Sequence, residues 1–447
     1  MPPLQPAALD TATEARRRFN RRKFLALGGG AAAAGVLGAA LGPQAFDALF
    51  SPAAAARGAT RSPRTLVLVT LYGGNDGLNT VIPYQDPAYA AARGPLAIDP
   101  SSVLALDDGF GLHPSMPGMK ALFDDKRLAI VEGVGFANPN YSHFESMDIW
   151  QSAEPTSPSG SGWLGRWLDA TGSDPLRAVG IGPTMPVALT GAKVQGAAIP
   201  TGKLLLPGTA SQQALYAAMA KATRGEPALL AGSASADANL LVVDRTLGPI
   251  LNRTVDSDPL HVKASDSVAL AGSSAAALAI ANGGGGLSSG NVLATQLSIV
   301  ANLILAGAAT EVYSVELGGF DTHAAQANTQ SELLTQLDTG VSAFVDAVGA
   351  TERGSETVVL VYTEFGRRVS ANASAGTDHG WANVVLVAGH PVKGGFYGDP
   401  PSLTNLSEGN LVYTTDFRSV YATMFDQVLG VDPKGFLGGT FPTLPLV

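Results

Sequence analysis

The chain has 447 residues, of which 46% are hydrophobic and 15% charged, and its formal net charge is −9. This is enough apolar material for a large core and allows one large α/β domain with insertions. Beyond the N-terminus the chain has no basic block, so we expect no nucleic-acid partner, which would need a basic face. The absence of cysteine excludes disulfides, thiolate metal sites and thiol nucleophiles.

The first segment of the chain has the pattern of an export signal. Arg21 and Arg22 are followed by an uncharged stretch, rich in Ala and Gly, that extends to Gly42. A pair of arginines before a weakly hydrophobic segment resembles a twin-arginine signal, although Asn20 stands where Ser or Thr is commoner. A transmembrane helix is the alternative, but the Gly and Ala content makes membrane insertion weak.

Small residues then mark a cleavage site, because Ala54 and Ala56 form an A-x-A arrangement. We predict that residues 1–56 are a twin-arginine signal peptide and that residues 57–447 form the mature protein. The twin-arginine translocase is then a partner during export. The mature protein is expected in the periplasm or outside the cell, without a stable membrane span.

Apolar runs alternate with helical patterns through most of the mature chain. Strands are predicted over 64–74, 128–134, 176–182, 311–317, 357–362 and 384–387, and helices before 128 and over 141–152, 209–222, 265–281, 292–308, 329–348 and 416–429. This alternation predicts an α/β fold, a three-layer sandwich whose mostly parallel central sheet is covered on both faces. The less regular stretch 176–290 is interpreted as an insertion or cap on that sheet.

Polar side chains follow the predicted strands, where ligands bind in open α/β sheets. The residues concerned are Asn75, Asp76 and Asn79; Ser142, His143 and Glu145; Asp321, His323 and Gln326; Glu364 and Arg367; and Asp378 and His379. Three of the six histidines are among them, each within two residues of an Asp or a Ser. Carboxylates combined with imidazoles suit Zn²⁺, Mn²⁺ or Fe, whereas carboxylates alone favour Mg²⁺ or Ca²⁺.

Most of these residues also have a structural interpretation. Ser142 and Glu145 fit a helix capping box, and His143 fits a packing residue at the start of that helix. Asp76 could satisfy a Gly-Asn-Asp-Gly turn. Glu364 and Arg367 could form a local ion pair, or Arg367 could clamp a phosphate or sulfate.

The three remaining histidines lie outside these loops. His113 precedes a proline and fits capping or packing, and no polar cluster surrounds His261 or His390. We interpret all three as structural.

The segments LYGGNDGLNTVIPY, YSHFESMDIWQS, GGFDTHAAQ, TEFGRRVSANASAGTDHGW and VKGGFYGDPPSL resemble the exported bacterial family called domain of unknown function 1501. The resemblance covers nearly the whole mature chain. It implies a fold of the alkaline-phosphatase and sulfatase superfamily, whose members hydrolyse phosphate or sulfate esters. They use one or two metal ions and a Ser, Thr or formylglycine nucleophile.

The resemblance also implies roles for individual residues. Asp76 resembles the first metal-binding aspartate of the superfamily, and Ser142, at a helix start, resembles its nucleophile. Asp321 and His323 resemble its Asp…His ligand pair, although the usual spacing is wider. His379, with Asp378 beside it, resembles the late metal-ligand histidine.

One departure concerns the segment after the strand over 357–362. Superfamily enzymes commonly have Asp-His-Gly there, whereas this chain has Glu364, Phe365 and Gly366. The loss of that imidazole argues against a two-zinc centre and leaves one metal ion, or an oxygen-rich site, as the expectation.

Two hypotheses about function follow. The first is an exported hydrolase of phosphate or sulfate esters that depends on a divalent metal such as Zn, Mn, Mg or Ca. Its expected ligands are Asp76, Asp321, His323, Glu364, Asp378 and His379, and its expected catalytic residues are Ser142 and Arg367. The second is an exported binding or assembly protein that keeps the fold without turnover.

Overall fold

The computed structural model describes residues 64–156, 160–182, 184–201, 209–221, 227–251 and 291–447. The chain divides into two compact units, one of residues 1–57 and 206–238 and one of residues 58–205 and 239–447. The predicted signal peptide and the predicted helix over 265–281 lie outside the described residues.

The strands are β1 (Thr65–Tyr72), β2 (Val81–Ile82), β3 (Leu104–Ala105), β4 (Gly111–Leu112), β5 (Leu128–Gly135), β6 (Ala178–Ile181), β7 (Ala197–Ile199), β8 (Val312–Gly318), β9 (Thr357–Thr363), β10 (Asn383–Ala388), β11 (Gly395–Tyr397), β12 (Leu406–Ser407), β13 (Asn410–Leu411) and β14 (Thr415–Asp416). The α-helices are α1 (Pro87–Arg93), α2 (Pro117–Asp124), α3 (His143–Ser152), α4 (Trp163–Thr171), α5 (Ala210–Met219), α6 (Ala228–Leu251), α7 (Val292–Leu305), α8 (Gln326–Gly349), α9 (Glu352–Ser355) and α10 (Phe417–Thr423). A π-helix over Met424–Val428 continues α10.

A nine-stranded sheet forms the centre of the larger unit, in the order β11-β5-β10-β9-β1-β8-β6-β7, with β14 also paired to β5. Strand β1 lies in the middle, parallel to both β8 and β9. Its sequence, TLVLVTLY, is a continuous apolar run, as expected of a strand covered on both faces. Strand β10 runs antiparallel to β5 and β9. The predicted mostly parallel sheet is therefore confirmed.

Alternate residues of β1 pack on opposite sides of the sheet. Val67, Val69 and Leu71 belong to a core that includes residues of α2, α7 and α8. Leu66 and Leu68 belong to a second core that includes residues of α3, α4 and α10. Because successive side chains of a strand point to opposite faces, helices on both faces make three layers. The predicted three-layer sandwich is confirmed.

The interpretation of 176–290 as an insertion or cap is wrong for its first part. Strands β6 and β7 extend the central sheet, with β6 pairing parallel to both β8 and β7. The strand predicted over 176–182 corresponds to β6, whereas β7 was not predicted, because a run of three residues gives little periodic signal. Among the described residues, no helix combines the length and the apolar character needed to cross a bilayer.

The strand directions bring four loops to one edge of the sheet. Strands β1, β8 and β9 run parallel, and β5, like them, is antiparallel to β10. The loops that follow β1, β5 and β8 therefore share an edge with the loop that connects β9 to β10. All the residues predicted to form the site lie in these loops.

Candidate metal centre

Four side chains from three of these loops meet at the edge of the sheet. The Oδ1 of Asp321 lies 3.0 Å from Nε2 of His323 and 3.1 Å from Nε2 of His379. The Nε2 of His143 lies 3.3 Å from the same oxygen, and the Nε2 atoms of His323 and His379 are 2.9 Å apart. We call Asp321, His143, His323 and His379 the histidine cluster. The predicted convergence of Asp321, His323 and His379 is thus observed.

His143 is held by a buried carboxylate behind it. Its Nδ1 lies 2.8 Å from Oε1 of Glu364, and that oxygen also accepts the backbone N–H of Gly73 at 2.8 Å. The other oxygen of Glu364 accepts the Thr363 hydroxyl at 2.8 Å. Since a carboxylate only accepts, Nδ1 of His143 carries the proton and its Nε2 has a free lone pair. The hydrogen bond with Glu364 raises the pKa of His143.

His379 and His323 are oriented in a similar way. The Nδ1 of His379 donates to the backbone carbonyl of Tyr141 at 2.8 Å, which leaves the Nε2 lone pair facing the cluster. Burial lowers the pKa of His379 and favours the neutral ring. The Nδ1 of His323 lies 3.5 Å from Oδ1 of Asp378. Each histidine therefore has an oxygen atom near its outer nitrogen, as ligating histidines commonly do.

Arg367 anchors the aspartate of the cluster. Its guanidinium donates to Oδ1 of Asp321 at 2.9 Å and also to the carbonyls of Gly73, Gly74, Phe320 and Thr377. Burial alone would raise the pKa of Asp321, but the hydrogen bond from Arg367 and the positive charge of that guanidinium outweigh it and lower the pKa to about 2. The carboxylate is thus ionised across the physiological range.

The loop after β1 can pass behind the cluster only because Gly73 has no side chain. Its φ is +115°, which L-residues rarely adopt. A Cβ there would lie 2.5 Å from the backbone N of Asp321. The glycine thus allows one loop to supply both the N–H bonded to Glu364 and the carbonyl bonded to Arg367.

The donor set fits a divalent cation. His143 and His379 direct nitrogen lone pairs at a carboxylate oxygen, an arrangement that is unfavourable unless a proton or a cation lies between them. The Nε2 of His143 is buried without a hydrogen-bond partner. The ligand atoms of His143, Asp321 and His379 all lie within 4.8 Å of one another. The distances of 3.1 and 3.3 Å from Oδ1 of Asp321 to the Nε2 atoms of His379 and His143 resemble the separation of ~3.3 Å between ligands of a tetrahedral ion with bonds of ~2.0 Å. Imidazole nitrogens with one carboxylate favour Zn²⁺, Mn²⁺ or Fe over Mg²⁺ or Ca²⁺.

Asp76 does not join the histidine cluster. Its two oxygens accept from Arg93 at 2.7 Å each, in a pair that is almost wholly buried. Gln326 donates to the same carboxylate at 2.5 Å. The expected ligand role is not supported, because Arg93 and Gln326 already occupy both oxygens of this buried carboxylate. Arg93, which stabilises this arrangement, was not among the predicted site residues.

Two other predicted ligands contact histidines of the cluster and lie outside the cluster itself. Glu364 contacts His143, and Asp378 contacts His323 while accepting from Asn372 at 3.1 Å. Both carboxylates orient histidines, which carboxylates near metal sites commonly do. The expected ion pair between Glu364 and Arg367 is wrong, because these side chains bond to His143 and Asp321 instead.

The two predicted catalytic residues differ in exposure. The guanidinium of Arg367 has no exposed surface and donates to protein oxygens, so it lacks the open donors that an anion clamp needs. It is a positioning residue for Asp321. Ser142 is exposed and caps α3, accepting from the Glu145 N–H at 3.4 Å. The reciprocal bond of a capping box is replaced, since the Ser142 N–H donates to Asn140 at 2.5 Å.

His143 is the cluster member that sequence reasoning gave no ligand role. The sequence did indicate that His143 could be a ligand, because this histidine follows a predicted strand and adjoins Ser142. A packing role explained the same position equally well. The ring does pack, at 4.9 Å from the ring of Phe365 and 4.4 Å from that of His379. Phe365, in the segment that replaces Asp-His-Gly, also lies 4.7 Å from the His379 ring and is an apolar wall of the cluster.

Comparison with known proteins supports the family resemblance over part of the chain. Residues 283–440 match the family model DUF1501, a protein of unknown function. This segment includes Asp321, His323 and His379, whereas His143 lies outside it. A comparison with curated proteins finds no match.

Solved structures give distant likenesses. A protein in the alkaline phosphatase superfamily from Vibrio parahaemolyticus is 10% identical, with a TM-score of 0.37, over 86% of this chain and 72% of that one. The phosphonate monoester hydrolase of Agrobacterium radiobacter is 13% identical, with a TM-score of 0.29, over 84% and 78%. The phosphonoacetate hydrolase of Sinorhizobium meliloti 1021 is 15% identical, with a TM-score of 0.26, over 69% and 58%.

Proposed function

We propose that this chain is a metal-dependent hydrolase of phosphate or sulfate esters. The observation that carries the proposal is the histidine cluster, in which one carboxylate oxygen and three Nε2 atoms from three loops come together. The side chain of Asp321 is 47% exposed, so the cluster is open to solvent and to a substrate. A buried structural site would not need this opening.

His143, Asp321 and His379 are the residues that would hold the ion, and His323, whose Nε2 lies 3.0 Å from Oδ1 of Asp321, would supply a further nitrogen beside them. When bound, a divalent ion would act as a Lewis acid that polarises an ester oxygen and favours ionisation of water. Glu364 and the Tyr141 carbonyl hold protons on the outer nitrogens of His143 and His379, which keeps their Nε2 atoms available. Arg367 keeps Asp321 ionised and fixes its position.

The start of α3 supplies a place for an anionic substrate. The helix begins at His143, so its positive end lies beside the cluster, and helix N-termini favour phosphate and sulfate groups. Ser142 precedes the first helical residue, and the distance of its capping bond, 3.4 Å, is long. We propose that the Ser142 hydroxyl, which is only loosely held, is the nucleophile.

The test is metal analysis followed by an ester panel. The full mature protein is purified without a metal-affinity tag, its metals are measured, and it is stripped with a chelator and reloaded with Zn²⁺, Mn²⁺, Mg²⁺ or Ca²⁺. 4-Nitrophenyl phosphate, bis(4-nitrophenyl) phosphate and 4-nitrophenyl sulfate are then assayed. The proposal expects hydrolysis of at least one ester that chelation removes and one metal restores. Hydrolysis that survives chelation contradicts it.

An exported binding or assembly protein is the second candidate. Two observations favour it, namely the pairing of Asp76 with Arg93 and the presence of Phe365 within the segment Glu364–Gly366. Both remove groups that the superfamily resemblance implied for a fuller metal centre. Stoichiometric metal without hydrolysis of any ester would support this candidate over the first.

Export through the twin-arginine pathway is a separate proposal, supported by Arg21, Arg22 and the small residues Ala54 and Ala56. Replacing both arginines by lysine should retain the precursor in the cytoplasm. A matched change of Arg16 and Arg17 to lysine should leave export intact. Sequencing the N-terminus of the exported protein tests the predicted cleavage before Arg57.

A further inference from the structure

A cavity of about 360 Å³ lies apart from the histidine cluster. Leu78, Val81, Phe110, Val384 and Leu403 are among its apolar lining residues, together with prolines 83, 400 and 401. Within the described chain, none of the four cluster residues lines it. A volume of this size is typical of sites for small organic molecules.

Glu132 brings a buried carboxylate to the wall of this cavity. It interrupts the buried strand β5, whose sequence is LAIVEGVG, and is itself only 4% exposed. Ile130 faces the core that contains α2 and α8, so alternation places Glu132 on that same face, where the cavity lies. Among the described residues, Glu132 has neither a hydrogen-bond donor nor an ion-pair partner.

The backbone around Glu132 departs from regular pairing. Between the pairs Asn383–Val134 and Val385–Val131, β5 contains one residue more than β10, which defines a β-bulge. The φ of Gly133 is +59°. Bulges re-aim side chains and are frequent beside functional sites. A buried carboxylate without a partner is costly, so a cation bound beside Glu132 would relieve that cost.

The other charged groups around the cavity reinforce the negative potential. Asp86 and Asp108 are exposed lining residues, and the basic lining residue, Arg367, donates to Asp321 and to backbone carbonyls instead. The acids do not form a metal-binding group in the described part of the chain, where the grouping of that kind is His143, Asp321 and His379. The cavity therefore suits a cation that carries its own apolar body, because such a ligand also fills the apolar walls.

We propose that this cavity binds a small organic cation, a primary ammonium group on a compact apolar body, with Glu132 as the counter-ion. The ammonium group would donate to the Glu132 carboxylate, and the apolar body would lie against Leu78, Phe110 and Leu403. Asp86 and Asp108 would attract the cation from solvent. This inference does not depend on the proposed hydrolase activity.

The test uses benzylamine and its neutral analogue, benzyl alcohol, as probes. Isothermal titration of the full mature protein at pH 8 should show saturable binding of benzylamine and binding of benzyl alcohol at least about tenfold weaker, because charge-assisted hydrogen bonds are the stronger ones. Glu132→Gln should weaken benzylamine binding at least about tenfold and change benzyl alcohol binding less than twofold. Asp107→Asn removes a neighbouring exposed charge that does not line the cavity and should leave both affinities within twofold.

A second variant locates the site without altering charge. Leu403→Trp places a larger side chain against the cavity and should abolish binding of both probes while circular dichroism stays unchanged. Three results would overturn the proposal: no saturable benzylamine binding by the wild type, equal binding of amine and alcohol, or benzylamine binding within twofold of wild type in folded Glu132→Gln. Retained binding in folded Leu403→Trp would place any amine site elsewhere.

Discussion

The Nδ1 of His143 and Oε1 of Glu364 lie 2.8 Å apart, although the residues are separated by 221 positions in the chain. Glu364 is almost wholly buried, and two further donors, the Gly73 N–H and the Thr363 hydroxyl, hold its carboxylate in place. The Glu364 carboxylate thus fixes the orientation of the His143 ring through its Nδ1 atom. This contact connects a loop at the start of α3 to the end of β9, and it directs one lone pair toward the histidine cluster.

Glu364→Gln should weaken metal binding about 10- to 100-fold, because carboxylates behind a ligating histidine orient it and increase its basicity. Chelator competition measures the dissociation constant. In the metal-free protein, nuclear magnetic resonance titration should show a lower pKa for His143, since the hydrogen bond that raises it is weakened. Glu145→Gln, an exposed change beside the same histidine, is the control. Equal metal affinity in wild type and Glu364→Gln would contradict the assignment.

His379→Ala and His323→Ala should each reduce the bound metal to less than about one tenth of the wild-type content, because each removes an imidazole nitrogen within 3.1 Å of Oδ1 of Asp321. Elemental analysis of protein with an unchanged circular dichroism spectrum is the measurement. His390→Ala removes an exposed histidine outside the cluster and should retain full metal. Full metal in both cluster variants would reject the centre as described.

Asp76→Asn should destabilise the protein by about 3 to 5 kcal/mol while leaving its metal content intact, because it leaves the buried Arg93 without a counter-charge. Urea denaturation and elemental analysis separate the two effects. Asp124→Asn is the matched control, since it breaks an exposed pair with Lys120 and should cost less than about 1 kcal/mol. Metal loss in folded Asp76→Asn would restore the ligand role expected from the sequence.

Ser142→Ala should lower ester hydrolysis at least about a hundredfold if its hydroxyl attacks the ester, while metal content stays unchanged. It should also cost about 1 kcal/mol of stability through loss of the cap on α3. Thr351→Ala removes a comparable cap from α9, far along the chain from the cluster, and controls for the stability effect. Hydrolysis that persists in Ser142→Ala would assign the attack to water.

Glu132 should make the protein less stable as the pH rises. Burial, with the charge of Asp108, raises the pKa of Glu132 from 4.5 to about 7. Between these values the folded state binds a proton that the unfolded state has released, so the contribution to stability is complete below pH 4.5 and is lost as the pH passes 7. The free energy of unfolding of Glu132→Gln minus that of the wild type should therefore be larger at pH 8 than at pH 4, by up to about 3 kcal/mol. Denaturation at both pH values tests this, and a difference independent of pH would contradict it.

The sequence predicted the strand–helix alternation well where the apolar runs are long. The runs that became β1, β5, β8 and β9 have seven or eight residues each, and burial on both faces leaves a strong signal. The strand over 176–182 was predicted but assigned to a cap, because the chain that follows it is irregular, and β7 was not predicted, because a run of three residues carries little periodicity.

The sequence by itself determined which loops would carry the site, since parallel strands bring their carboxyl ends to one edge. It also determined the residue types available there, carboxylates and imidazoles without thiolates. Only the tertiary structure decided how they are divided: Asp76 pairs with Arg93, Glu364 and Asp378 support histidines, and His143 enters the cluster. The physical reason is that a carboxylate or imidazole gains its role from the charge and hydrogen-bond donors within about 4 Å, and those partners lie far away in the chain.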